Sequence, residues 1–203
     1  MDQYRMGTID DLDSIYESYA SEFPENERKT KDQLKQLMSR GAYVLLIAET
    51  HGESISKRIG FACLYVPNGE DFIWLDYLVI ERVYQNKGYG SKFFEEMMRR
   101  WSDRRGMFIE VEIPTGNDID QERRIVYYER LGAKRVSINY YFPTESGDMP
   151  MYLYFKTQEM TSAVTTDYIQ KAIISANRTI HWDHADLESV WKKNHFNSDN
   201  YFA

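Results

Sequence analysis

The sequence has a single cysteine, Cys63, among 203 residues. An intrachain disulfide framework is therefore excluded, and this usage fits a reducing cytoplasm. The thiol lies in an apolar stretch with no obvious activating partner, so it reads as a buried structural group. Only four histidines are present. His181 and His184 are spaced as metal ligands can be, with Asp183 between them, but no third and fourth ligand accompany them. They read as surface histidines beside a helix cap, and no metal is expected. No apolar run approaches a membrane span. Ala42–Ala48 is the longest clear one and suits a strand. The opening Met1-Asp-Gln-Tyr-Arg5 lacks the charged-then-apolar layout of a signal peptide. A basic surplus is also missing. The net charge of -7 argues against general nucleic-acid binding and is compatible with cationic partners.

What is present is ordinary for a water-soluble globular chain, with enough residues for one core plus an appendage. The chain is organised around one stretch. Residues 72–80 are almost entirely apolar, rich in β-branched and aromatic side chains, which predicts a strand buried on both faces. From Ser91 onward, Phe93, Phe94, Met97, Met98 and Trp101 fall on one face of a helix. Between strand and helix stands Gln85-Asn86-Lys87-Gly88-Tyr89-Gly90. Two glycines at such a turn let several N–H groups point one way, and the helix start adds its unpaired N–H groups and positive dipole end. The combination predicts a seat for a phosphate-bearing ligand. The spacing of a P-loop is absent, and a dinucleotide-binding turn would need a third glycine where Phe93 stands.

Around this stretch the periodicity predicts a mixed α/β order. Tyr4 to Ile9 reads as a first strand, and Asp10 or Asp11 caps a helix through Leu12, Ile15, Tyr16 and Tyr19. Residues 21–28 read as a loop broken by Pro24. Thr30 caps a second helix that stops at Gly41. A hairpin follows, Tyr43 to Glu49 with Arg58 to Val66, then the Asn68-Gly69 turn before the central strand. Beyond the central helix come a strand from Met107 to Ile113, a helix from Gln121 to Leu131, and strands near 134–142 and 151–156. The crossover implies that the central strand and the Phe108 strand run parallel. Near the end, Thr166 or Asp167 and then Asp183 are the expected caps of two further helices.

The Gln-x-x-Gly-x-Gly hexapeptide resembles the acetyl-CoA pyrophosphate loop of the GNAT N-acetyltransferase superfamily. The order of elements is also that of the GNAT fold. A second segment, Tyr127-Tyr-Glu-Arg-Leu-Gly-Ala133, is similar to a motif late in that fold. The resemblance covers residues 1–157. Residues 158–203 form a C-terminal helical extension, open to packing on the core, covering the cleft or building a homodimer contact.

What the resemblance implies can be stated residue by residue. Gln85, Asn86, Lys87, Gly88, Tyr89, Gly90 and Ser91 would hold acetyl-CoA. Backbone groups of Leu78 and Val79 would face its pantetheine arm, where the strand splays from its neighbour and one free N–H could serve the oxyanion. Tyr128 stands where the general acid often lies, and a phenol is protonated at neutral pH. Gln121 takes a position where relatives often carry Asn against the cofactor. Phe23 would border the acceptor cleft. From the residues themselves, Asp76 is the only charge between Phe72 and Ile80. Loss of water around a carboxylate in so apolar a strand favours its taking a proton, which suits a base. Glu110 and Glu112 share one strand face and are candidates to bind a cationic amine or relay its proton. Arg99, Arg100, Arg104 and Arg105 suit a helix C-terminus, with the cofactor's adenosine phosphate as a second use. The expectation is acetyl transfer from acetyl-CoA to a primary amine by direct attack, the acceptor a small cationic amine; a peptide N-terminus or lysine side chain stays open. Two alternatives stand beside it: a CoA-binding regulatory module without turnover, and transfer of a longer acyl group.

Overall fold

In the computed structural model residues 3–50, 56–116, 118–144, 147–158 and 164–196 are described. The chain divides into two compact units, Met1–Asp103 and Arg104–Ala203.

In the first unit four strands pair antiparallel in chain order: β1 (Gln3–Met6), β2 (Tyr43–Thr50), β3 (Lys57–Tyr65) and β4 (Phe72–Ile80). β2 and β3 are the expected hairpin; its turn lies outside the described residues. Helix α1 (Asp11–Glu22) buries Leu12, Ile15 and Tyr19 at helical spacing. Asp10 precedes it but makes no side-chain cap. The carboxylate of Asp11 instead accepts from the Thr8 N–H and binds Arg5. A short 3-10 turn (Glu25–Glu27) occupies part of the expected loop. Helix α2 (Lys31–Ser39) starts as the sequence predicts: Thr30 accepts from the Gln33 N–H, and the Gln33 side chain accepts from the Thr30 N–H. Helix α3 (Tyr89–Arg100) buries Phe93, Phe94, Met97 and Met98. Each such side chain contributes about 1.5–3 kcal/mol when removed from water, so this face anchors the helix. Phe93 stacks on Tyr4, with ring centroids 5.6 Å apart. Arg99 and Arg100 close on the buried Glu96 of the same helix.

In the second unit β8 (Gly147–Thr157) pairs antiparallel with β5 (Gly106–Glu112), with β7 (Ile138–Thr144) and with the short β6 (Lys134–Arg135). β7 also pairs with β9 (His195–Phe196). Helix α4 (Ile119–Arg130) connects β5 to β6. The extension packs on this unit's own strands. Helix α5 (Thr166–Ile180) sets the Tyr168 ring 5.9 Å from Phe108 and 6.2 Å from Phe155. Beyond helix α6 (Leu187–Lys193), the Asn194 side chain accepts from the Tyr141 N–H at 2.9 Å.

The caps of these last helices differ from expectation by one and three residues. Thr165 caps α5 rather than Thr166 or Asp167, and Asp186 caps α6 rather than Asp183. The histidines have structural work. His184 Nδ1 accepts from the Asp186 N–H at 3.0 Å, so Nε2 carries the proton and donates to the Gly147 carbonyl at 2.8 Å. The buried His181 meets the Phe142 ring edge-on. Among the described residues no cluster of His, Cys, Asp and Glu could hold a metal ion. No helix among them is long and apolar enough to cross a membrane.

Candidate acyl-transfer site

The turn after β4 is built by two left-handed residues, Asn86 at φ 59° and Gly88 at φ 82°. A Cβ on Gly88 would meet nothing within 4 Å, so the backbone angle, not space, calls for glycine there. Gln85 fixes the start of the turn by donating to the Ile80 carbonyl at 2.8 Å. Lys87 donates to the Val83 carbonyl at 2.6 Å, so its ammonium braces the loop.

The start of α3 differs from those of α2, α4, α5 and α6, and from that of α1, which also lacks a side-chain cap but opens on Asp11 and Asp13. Side chains of Thr30, Asp118, Thr165 and Asp186 accept from the first turns of α2, α4, α5 and α6. No side chain caps α3, and its first turn carries no acid. Its backbone ladder opens with the Lys92 N–H donating to the Gly88 carbonyl at 3.2 Å. The N–H groups of Tyr89, Gly90 and Ser91 therefore precede any intrahelical acceptor. Three donors and an uncompensated dipole end suit a diphosphate.

β4 carries an irregularity that sequence periodicity does not show. Cys63 pairs with Tyr77 and Leu64 with Leu75, so Asp76 is an extra residue without a partner on β3. Such a bulge breaks the strict alternation of side chains and re-aims them. Asp76 and Tyr77, neighbours that a regular strand would send to opposite faces, both reach Lys29. The Lys29 ammonium lies 3.1 Å from Asp76 Oδ2, 3.4 Å from Oδ1 and 3.2 Å from the Tyr77 hydroxyl. It also stands 5.0 Å from the Tyr77 ring centroid. Tyr43 donates to Asp76 Oδ2 at 2.5 Å. The Asp76 side chain is 1% exposed although the residue as a whole is partly accessible, so solvent reaches its main chain. Leu78 and Ile80 are also partly accessible, whereas Val79 is buried.

Tyrosines surround this group. The Lys29 N–H donates to the Tyr19 hydroxyl, and the Tyr77 hydroxyl donates to the Glu27 carbonyl. Phe23 packs on Tyr77 and Tyr19, with centroids 4.8 and 5.5 Å away. Burial drives the phenols of Tyr19, Tyr43 and Tyr77 well above their ordinary range. The Cys63 thiol is pushed up to about 12 by burial, consistent with an inert structural role.

Tyr128, Glu110, Glu112 and Gln121 lie in the second unit. Glu110 accepts from the Tyr140 hydroxyl, and Glu112 pairs with Arg124. Arg124 stands one turn before Tyr128 on α4. Burial pushes the Tyr128 phenol up to about 12, and the nearby Arg124 charge opposes part of that rise. Gln121 Oε1 accepts from the Thr115 N–H at 3.0 Å and lies 3.2 Å from its hydroxyl. Its amide oxygen thus ties down the β5–α4 connection.

The first unit thus gathers Phe23, Asp76, Leu78, Val79 and the 85–91 loop on one strand–turn–helix and the α1–α2 connection. Sequence reasoning missed Lys29, Tyr43, Tyr140 and Arg124, which hold the three acids, and Tyr77, which shares the Lys29 ammonium with Asp76. Lys29 directly follows the 21–28 segment, and only the bulge brings Tyr77 beside Asp76.

The scaffold is a mixed α/β fold with a left-handed turn between a buried strand and an uncapped helix. Known proteins share this fold. The acetyltransferase (GNAT) family profile matches residues 12–133. The chain belongs to this family. Among solved structures, a Bacteroides thetaiotaomicron protein of the GNAT family is 21% identical, with a TM-score of 0.70 over 89% of this chain and 98% of that one. NAA60 of Arabidopsis thaliana, solved with acetyl-CoA, is 16% identical, with a TM-score of 0.60 over 77% of this chain and 98% of that one. A mutant spermidine N-acetyltransferase of Vibrio cholerae is 12% identical, with a TM-score of 0.59 over 84% of this chain and 98% of that one. At these identities the likeness establishes the fold. No curated protein matches.

Proposed function

We propose that the protein transfers an acetyl group from acetyl-CoA to a primary amine by direct attack, within a catalytic domain of residues 1–157. The observation that carries this reading is the uncapped, acid-free start of α3 behind the left-handed Gly88. The cofactor's diphosphate would take the amides of Tyr89, Gly90 and Ser91, and its pantetheine arm would run along β4 near Leu78 and Val79.

The acceptor nitrogen, as the free amine, attacks the thioester carbonyl carbon. A main-chain N–H of β4 steadies the oxyanion, the C–S bond breaks, and the thiolate leaves. Asp76 is the base of this reading. A carboxylate offers about four lone-pair positions. Lys29 and Tyr43 occupy Oδ2, and Lys29 leans on Oδ1, so the acceptor's proton, or that of a water relaying it, goes to the remaining side of Oδ1. Glu110 and Glu112 are the alternative bases, each already holding an internal partner. Tyr128 donates to the departing sulfur.

The acids that suggest a small cationic amine are all engaged internally. A cationic acceptor therefore has to compete with Lys29 at Asp76. A second reading, a module that binds CoA without turnover, draws on the Gln121 amide being committed to Thr115. Thiol release from acetyl-CoA over a panel of small amines and peptide N-termini separates the two. Amine-dependent release is expected; CoA binding with no release from any amine would leave the binding module standing.

A further inference from the structure

We infer that Asp76 and Tyr77 form a seat for an ammonium group, and that Lys29 fills it from within the chain, setting which amines are accepted. The inference rests on acetyl transfer to an amine as proposed above. The seat has the parts that recognise an alkylammonium ion. It offers a carboxylate, a hydroxyl oxygen at 3.2 Å and an aromatic face 5.0 Å away. Tyr43 pins the carboxylate from the other side. The whole is buried, with side-chain exposure of 9% for Lys29 and 1% for Asp76.

Lys29 belongs to the connection between α1 and α2, not to the sheet. That connection is fastened to β4 through the same residues: the Tyr77 hydroxyl holds the Glu27 carbonyl, and Phe23 packs on the Tyr77 ring. A second positive charge on an acceptor finds the carboxylate neutralised. The enzyme thus takes an amine for its reacting nitrogen alone and gains nothing from a second ammonium. Without Lys29, Asp76 Oδ2 and the Tyr77 hydroxyl are open to the far end of a diamine, while Oδ1 still takes the reacting nitrogen's proton through a relaying water.

The test compares butylamine with its diamine, putrescine, by thiol release from acetyl-CoA. The parent is expected to take both with kcat/KM values within about threefold. Lys29→Met should prefer putrescine by about tenfold or more, chiefly through KM, since a charge-assisted hydrogen bond is gained. Lys29→Met/Tyr77→Phe, which takes away the seat's hydroxyl and leaves the base in place, should lower the ratio again. A general structural role for Lys29 would lower both amines together and leave the ratio alone. An unchanged ratio in a folded Lys29→Met protein, or a parent already preferring putrescine tenfold, overturns the inference. Should Lys29→Met not fold, Lys29→Gln, which keeps a polar chain without charge, is read by the same ratio. Absence of release from the parent with any amine is a failure of the acetyl-transfer reading instead. In that case the seat is read by unfolding: putrescine should raise the midpoint of Lys29→Met but not of the parent, and equal shifts refute it.

Discussion

Tyr128→Phe tests the proposed chemistry most directly. The buried phenol sits at about 12. A thiol of the ordinary cysteine kind ionises near ~8.5. Complete proton transfer from phenol to thiolate is therefore uphill, by on the order of a few kcal/mol. Early and complete transfer of the Tyr128 proton is thus disfavoured. Tyr128 acts by a hydrogen bond that strengthens as charge gathers on sulfur, and solvent protonates the released thiolate. Such a bond is worth less than full acid catalysis, about 1.4–2.7 kcal/mol, or ~10–100-fold in kcat. The assay is thiol release at saturating acetyl-CoA, parent against Tyr128→Phe, from pH 6.5 to 9.5. The ratio of rates should be flat across that range, because the phenol stays protonated throughout. KM for acetyl-CoA should move less than about threefold, since the loss falls on the transition state. Equal kcat values would remove Tyr128 from the reaction. A ratio that bends near pH 8 would refute the hydrogen-bond argument, because a group at about 12 has no titration there.

Asp76→Asn leaves the Lys29 ammonium buried without its carboxylate, and should cost about 3–5 kcal/mol in urea unfolding, with Lys29→Met/Asp76→Asn recovering at least half. A loss under 1 kcal/mol would mean the pair is solvated in practice. Alkaline pH should destabilise the fold through its buried phenols. With Tyr128 raised from ~10 unfolded to about 12 folded, its contribution is whole below pH ~10 and is lost as pH rises through 12, on the order of 2–3 kcal/mol. Tyr19, Tyr43 and Tyr77 shift in the same direction, so a thermal midpoint flat from pH 9 to 12 would contradict the burial described. Gly88→Ala should cost ~1–2 kcal/mol of stability and raise KM for acetyl-CoA more than KM for the amine. The cost is conformational, because the added methyl meets nothing, and an unchanged KM for acetyl-CoA would place the cofactor elsewhere.

How far the sequence could be read depended on whether a feature is local. The 85–91 turn was legible because its causes are contiguous in sequence: a buried strand, glycine at the left-handed position and an amphipathic helix. Thr30 was legible because Gln33 completes the capping box three residues on. The other helix starts were harder, since several capping side chains stand near each one and tertiary contacts choose among them. Asp11 was drawn away by Arg5, a residue of β1, leaving α1 without a side-chain cap. The acids were identified by position but not by state. Period-two reasoning puts Asp76 and Tyr77 on opposite faces, and the bulge that leaves Asp76 unpaired on β4, opposite the Cys63–Leu64 step, undoes it. Lys29 reaches them from 47 residues away in sequence, and neither spacing nor composition announces that pairing. A lone carboxylate in an apolar strand thus had two readings: a base primed by desolvation, or one half of a buried pair. The bulge, by giving Lys29 both a carboxylate and a hydroxyl, produces the second, so the base proposed for the reaction has to work beside a fixed positive charge.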